Sequence, residues 1–343
     1  MPQIAVVTGG SAGIGRATAW AFARAGYQVA VLARDRRRVE SLCAKIRGSG
    51  SDALGISTDV ADAGQVESAA ERIEQELGPI SVWVNNASTT VFARVLDMTA
   101  EEYRQVTAVT YLGVVHGTMT ALKRMQSRDR GIIIQTGSAL AYRSIPLQSA
   151  YCAAKAAIRG FTDSLRCELL HERSNVRLTM VQLSAFNTPQ FDWARSKLPR
   201  RLQPVPPIFQ PEIAAAAIVR AATHPSREVW VGWPAVKTIL STRLIPGLGD
   251  RLAAHGAYES QMTDMPADAD RPDNLFAPVP GEVGAHGRFD SRSRSWSANW
   301  LLSRHRWSAA VLATALLAGA AHYLSRTGTF TTARTAPRRK AAR

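Results

Sequence analysis

Seven short apolar runs, with stretches of helical periodicity between them, occupy the first 233 residues and leave few folds open. The runs "QIAVVTG", "QVAVLA", "DALGIST", "ISVWVNNA", "GIIIQTGS", "VRLTMVQLS" and "EVWVG" read as strands. Between them, residues 13–25, 35–48, 62–77, 99–124, 150–172 and 211–223 read as helices. Asp62 and a Thr99/Glu102 capping box mark two of the helix starts. Strands that alternate with helices bury both faces of a sheet when the strands run parallel. The expectation is a three-layer α/β domain around a largely parallel sheet of about seven strands, with ligands at the strands' carboxyl ends.

The alternation breaks at "LPRRLQPVPPIFQPE", Leu198 to Glu212, which is too rich in proline for a strand or helix interior. It reads as a flap beside the cleft or as a plain surface connection. After Gly232 one or two short helices pack on the same domain, which therefore spans 1–263. Residues 264–298, rich in Asp, Pro, Gly, Ser and Arg, read as an irregular linker. The uncharged stretch "WSAAVLATALLAGAAHYL", 307–324, would reach about 27 Å as a helix, near the thickness of a hydrocarbon core. Residues 299–325 thus read as a membrane-anchoring helix, the alternative being a helix buried on the first domain. A basic flexible tail, 326–343, follows.

A net charge of +15 suggests nucleic acid until it is located. Between Arg288 and Arg343, eleven Lys/Arg against the single acid Asp290 give +10 of it. No aromatic-interleaved basic groove accompanies this tail, so nucleic acid is not an expected partner. Cys43, Cys152 and Cys167 neither pair fully nor match metal spacing, which favours a reducing, cytoplasmic setting. The N-terminus lacks the basic n-region of a signal peptide.

Two motifs carry chemistry. "VTGGSAGIGRA" follows the first strand and opens the first helix. Its glycines at 9, 13 and 15 allow a tight turn, close approach of a phosphate to backbone N–H groups, and close helix packing. In "YCAAK", Tyr151 and Lys155 lie four residues apart on one helix face. They read either as a packed aromatic beside a surface lysine, or as a proton donor and the cation that lowers its pKa.

"TGGSAGIG", "NNAS" at 85–88, Ser138 thirteen residues before Tyr151, and "YCAAK" together resemble the short-chain dehydrogenase/reductase family of tyrosine-dependent oxidoreductases over roughly residues 1–233. The resemblance implies a Rossmann-like fold, a nicotinamide cofactor, and hydride transfer to or from a small carbonyl/alcohol substrate. It implies that Gly9, Gly13 and Gly15 hold the pyrophosphate and that Ile14 packs beneath the cofactor. Asp59 would hold the adenine amino group, and Asn86 and Ala87 would flank the adenine ribose. Ser11, Val60 and Val109 fall on the same cofactor wall, and Thr188 matches the threonine that meets the nicotinamide amide. Tyr151 would act as general acid or base, Lys155 would favour its phenolate and bond the ribose, and Ser138 would orient the substrate oxygen.

The strand end in "VAVLARDRRR" carries Ala33 where an acid would contact the ribose hydroxyls and repel a 2′-phosphate, and Arg34 follows at once. A guanidinium pairs with phosphate through parallel bonds, so NADP is expected, with NAD as the alternative. Arg34 also reads as the solvated start of a charged helix, and Asp35 competes for it. Two positions depart from the family. Thr110 in "VTYLG" stands where an asparagine supports a proton-relay water, and reads as its substitute or as a core threonine. In "QLSAFNTP", Leu183 and Ser184 replace Pro-Gly. Leu140, Tyr142, Arg143, Gln190, Phe191 and Trp193 are candidates for the substrate pocket. The competing readings are an inactive nucleotide-binding protein and an isomerase or epimerase with a transient hydride step. A homo-oligomer is compatible with all of them.

Overall fold

β1 (Ile4–Thr8) is buried at every position, as a strand covered on both faces must be. The computed structural model describes residues 3–300 except 245, 269 and 299. β2 (Gln28–Ala33), β3 (Ala53–Ser57), β4 (Ile80–Asn85), β5 (Ile132–Ser138), β6 (Arg177–Leu183) and β7 (Glu228–Val231) join β1 in one seven-stranded sheet. Its order is β3-β2-β1-β4-β5-β6-β7, and every neighbouring pair is parallel. This is the parallel sheet that the alternation predicts, and its order is Rossmann-like, as the family resemblance implies. The order reverses at β1/β4, which opens a crevice at the carboxyl ends of those strands.

The covering helices are α1 (Gly13–Arg24), α2 (Arg36–Gly48), α3 (Ala63–Glu76), α4 (Ala100–Thr107), α5 (Gly113–Ser127), α6 (Ser149–His171) and α7 (Pro211–Thr223). α8 (Trp233–Leu244) and α9 (Pro246–Leu252) follow β7. Asp62 caps α3 by accepting from the Gly64 and Gln65 N–H groups at 2.9 and 3.1 Å. Thr99 and Glu102 close the expected capping box on α4. One face of the sheet buries Leu32, Trp83 and Ile133 in a cluster with Ile73 of α3 and Met125 of α5.

Three expectations are corrected. The single helix expected over 99–124 is two helices joined by a π-turn at Ala108–Leu112, a wider coil that leaves its carbonyls out of α-register. The proline-rich stretch does contain strand: Arg200–Leu202 pairs with Met262–Pro266, and Ile208–Phe209 pairs with Ala185–Phe186 and Ser293–Arg294. Pro204, Pro206 and Pro207 lie between these two pieces, so no ladder hydrogen bond is lost to them. Residues 264–298 are mostly irregular in backbone, as expected, but they are not a free linker. They belong to the same compact unit as the sheet, and Leu275 and Phe289 are buried in it. Among the described residues no helix is long and apolar enough to cross a membrane. The stretch 307–324 lies outside the described residues.

Candidate active site

A cleft of about 720 Å³ runs along the carboxyl ends of the strands. Gly9, Ser11, Gly13, Ile14, Gly15, Arg34, Asp59, Val60, Asn86, Ala87, Val109, Ser138, Tyr151, Lys155 and Thr188 all line it. Of the catalytic and cofactor residues expected from sequence, Thr110 alone is outside that lining.

The glycine loop is a cradle that side chains would fill. Gly9 has φ +63°, and a Cβ there would stand 2.7 Å from the Ala87 Cα. A Cβ on Gly15 would stand 2.2 Å from the Gly9 carbonyl oxygen. The turn at 85–88 is drawn against this loop by a residue that the motif reading passed over. The Thr8 hydroxyl accepts from the Asn86 and Ala87 N–H groups at 2.9 and 3.1 Å, while Asn86 Nδ2 donates to the Thr8 carbonyl at 3.0 Å. The first residue of "TGG" is its sequence signal. A loop this bare at the start of α1 fits a dinucleotide phosphate group. Asp59 accepts from the Ala61 N–H through Oδ1 at 3.0 Å.

At the other end of the cleft, Ser138 ends β5, and Tyr151 and Lys155 project from the first turns of α6. The Ser138 hydroxyl accepts from the Leu140 N–H at 3.1 Å and lines the cleft together with Tyr151. Lys155 is 3% exposed, and its Nζ donates to the Thr136 carbonyl at 2.7 Å, 5.5 Å from the Tyr151 ring centre. Burial acts on both groups against their charged forms. It pushes the Tyr151 phenol up, with Cys152 adding to the rise and Ser138 opposing it. It brings Lys155 down to about 8.

Thr110 sits in the π-turn, fully buried. Its hydroxyl accepts from the Thr89 N–H at 3.0 Å and donates to the Thr89 carbonyl at 2.9 Å. It fixes the backbone of a cleft residue rather than facing the cleft. The second departure also has a physical account. Ser184 Oγ donates to the Val231 carbonyl at 2.8 Å and accepts from the Ala235 N–H at 3.1 Å, pinning the turn from β7 into α8. Of the substrate-pocket candidates, Leu140, Arg143, Gln190, Phe191 and Trp193 line the cleft. Tyr142 does not: its hydroxyl donates to Glu228, and Arg159 stacks on its ring at 4.5 Å. It follows the 3-10 turn at Ala139–Ala141 and lines a separate pocket with Arg159, Asp163 and Glu228.

Residues 271–294 form a strap along the part of the cleft lined by Gly13, Arg34 and Arg38. Arg34 donates through Nη2 to the Asn274 carbonyl at 2.6 Å, and through Nη1 to the Phe276 and Leu275 carbonyls at 2.9 and 3.4 Å. Arg38, one turn into α2 and 5% exposed, donates to the Val279 and Gly281 carbonyls and stacks on Trp193 at 5.1 Å. The Gly13 N–H donates to the Gly284 carbonyl at 3.1 Å. Asn187, fully buried, accepts from the Phe289 N–H at 3.0 Å and donates to Asp290. Neither Arg38 nor Asn187 is singled out by sequence. The run "RDRRR" does not mark which arginine turns inward, and Asn187 hides in the altered loop after β6.

The fold and the cleft at its strand ends are those of a Rossmann-like α/β oxidoreductase. Residues 3–198 match the family described as short chain dehydrogenase, and the chain belongs to that family. It is 31% identical over 325 residues to the uncharacterized oxidoreductase YxnA of Bacillus subtilis, covering 92% of this chain and 88% of that protein. Among solved structures it resembles an alcohol dehydrogenase from Thermococcus sibiricus complexed with 5-hydroxy-NADP. The TM-score is 0.59 and the identity 26%, over 67% of this chain and 96% of that one. A metagenomic short-chain oxidoreductase in complex with NADP gives a TM-score of 0.57 at 25% identity, over 67% and 96%.

Proposed function

We propose that the chain is an NADP-preferring oxidoreductase that interconverts a small carbonyl compound and its alcohol. The observation that carries this reading is convergence: Ser138, Tyr151 and Lys155 meet at one end of a cleft whose other end is the bare glycine cradle. A bound nicotinamide cofactor would supply the hydride. The remaining work falls to side chains. Ser138 holds the substrate oxygen against Tyr151, and the Tyr151 hydroxyl gives up or takes the proton at that oxygen. Lys155, anchored on the Thr136 carbonyl, offers its remaining donors to the ribose and lowers the cost of the phenolate. Leu140, Ile145, Phe186 and Phe191 line the adjoining wall, which supports an apolar substrate. The proposed NADP preference rests on Arg34 at the end of β2, with no acid at Ala33. The two NADP-type complexes among the similar structures favour it too.

Turnover coupled to NADPH across a panel of apolar aldehydes and ketones is the test. Tyr151→Phe keeps the ring and removes the hydroxyl, and should slow turnover by about 10²–10⁴ where chemistry limits the rate. Wild-type hydride-transfer rates in a folded Tyr151→Phe protein would sink the assignment.

A further inference from the structure

We infer that the strap and the 2′-phosphate of NADP compete for Arg34, so that the strap sets which nicotinamide cofactor the cleft accepts. The inference rests on the proposed cofactor reading and deepens it. Both Nη atoms of Arg34 are committed to three successive strap carbonyls. A bidentate phosphate pair needs the same N–H groups that these carbonyls now occupy. A phosphate brought to Arg34 with the strap in place would meet carbonyl oxygens, like dipole against like charge. The second cationic side chain at this end offers no alternative, because Arg38 is committed to the Val279 and Gly281 carbonyls and to Asp35.

The strap is held independently of these arginines. Leu275 is fully buried in a cluster with Val91, Ala93, Val106 and Ala150. Asp273 accepts from Arg195 at 2.8 Å and from the Leu275 N–H at 3.0 Å, and Gln105 donates to the Leu275 carbonyl at 3.2 Å. The 274–276 turn therefore has its own docking free energy, which the 2′-phosphate of NADP must overcome, whereas the Gly284 carbonyl on the Gly13 N–H is displaced by the pyrophosphate of either dinucleotide. The apparent dissociation constant for NADP is the intrinsic one divided by the fraction of molecules with the 274–276 turn released.

The test uses the full chain. Hydrogen exchange over residues 273–281 is followed without cofactor, with NADP and with NAD, alongside calorimetric affinities for both. NADP should deprotect this segment and NAD should leave it protected. Leu275→Ala and, as a gentler second variant, Asp273→Asn should tighten NADP by roughly tenfold by raising the released fraction, and leave NAD unchanged. Unchanged or increased protection with NADP overturns the inference and spares the cofactor reading. Equal deprotection by both dinucleotides also overturns it, because the phosphate then plays no part. Failure of both dinucleotides to bind overturns the inference and the cofactor reading together.

Discussion

Lys155 shows how a single buried side chain ties stability to pH. Its folded pKa is brought down to about 8, while a lysine in the unfolded chain titrates near 10.4. Between those values the unfolded chain holds the extra proton, so stability rises with pH across that window and is lowest below it. Lys155→Met should abolish that rise and stabilise the cofactor-free protein at pH 7 by about 1–3 kcal/mol, while removing the proposed ribose and tyrosine contacts. Urea unfolding at pH 7 and pH 10, with and without the substitution, measures it. A wild-type stability that falls between those pH values would contradict the assignment of a depressed lysine. Gly15 makes the opposite kind of demand, for space. In Gly15→Ala the new methyl must push the Gly9 carbonyl or the Asn86 amide aside. Overpacking of this kind costs about 1–3 kcal/mol, and here it falls on the phosphate cradle. Dinucleotide binding should be lost while the far-ultraviolet circular dichroism stays native.

At the scale of elements, the strands were legible because parallel strands buried on both faces are written as unbroken apolar runs such as "IAVVT". Helix starts at Asp62 and Thr99 were legible because a cap is a local hydrogen bond between residues two or three apart. The π-turn was not. "AVTYL" has no proline or glycine within it, and what holds Thr110 is a pair of bonds to the Thr89 backbone, 21 residues away. Thr110→Val keeps the shape and removes both bonds, leaving a buried N–H and carbonyl unpaired at about 1–3 kcal/mol. It should lower the unfolding midpoint and raise KM through the displaced Thr89, and Thr110→Ser should restore both. An unchanged midpoint and KM in Thr110→Val would remove Thr110 from the account of the cleft.

For the whole molecule, the uncharged stretch 307–324 and the basic residues flanking it support a proposed membrane tether for an enzyme facing the cytoplasm. The full chain should sediment with membranes, and a chain ending at residue 302 should remain in the supernatant with its dinucleotide affinity intact. That end point keeps the Ser293–Arg294 pairing with Ile208–Phe209. A full-length protein that stays monodisperse in the supernatant would argue for a helix packed on protein instead.

The sequence by itself determined the layered parallel sheet and the bare glycine loop, encoded as apolar runs and missing Cβ atoms at fixed local spacing. Spacing put only Tyr151 and Lys155 one helical turn apart; it was the family resemblance that joined Ser138 to them and gave the three a role. Only the tertiary structure decided that Tyr142 leaves the cleft, that Arg38 turns inward, and that residues 271–294 lie across Arg34 and Arg38. The strap meets Arg34 and Arg38 through main-chain carbonyls some 240 residues along the chain. Every residue carries such a carbonyl, so no side chain marks which of them will face a guanidinium; the packing of Leu275 among Val91, Ala93, Val106 and Ala150 does.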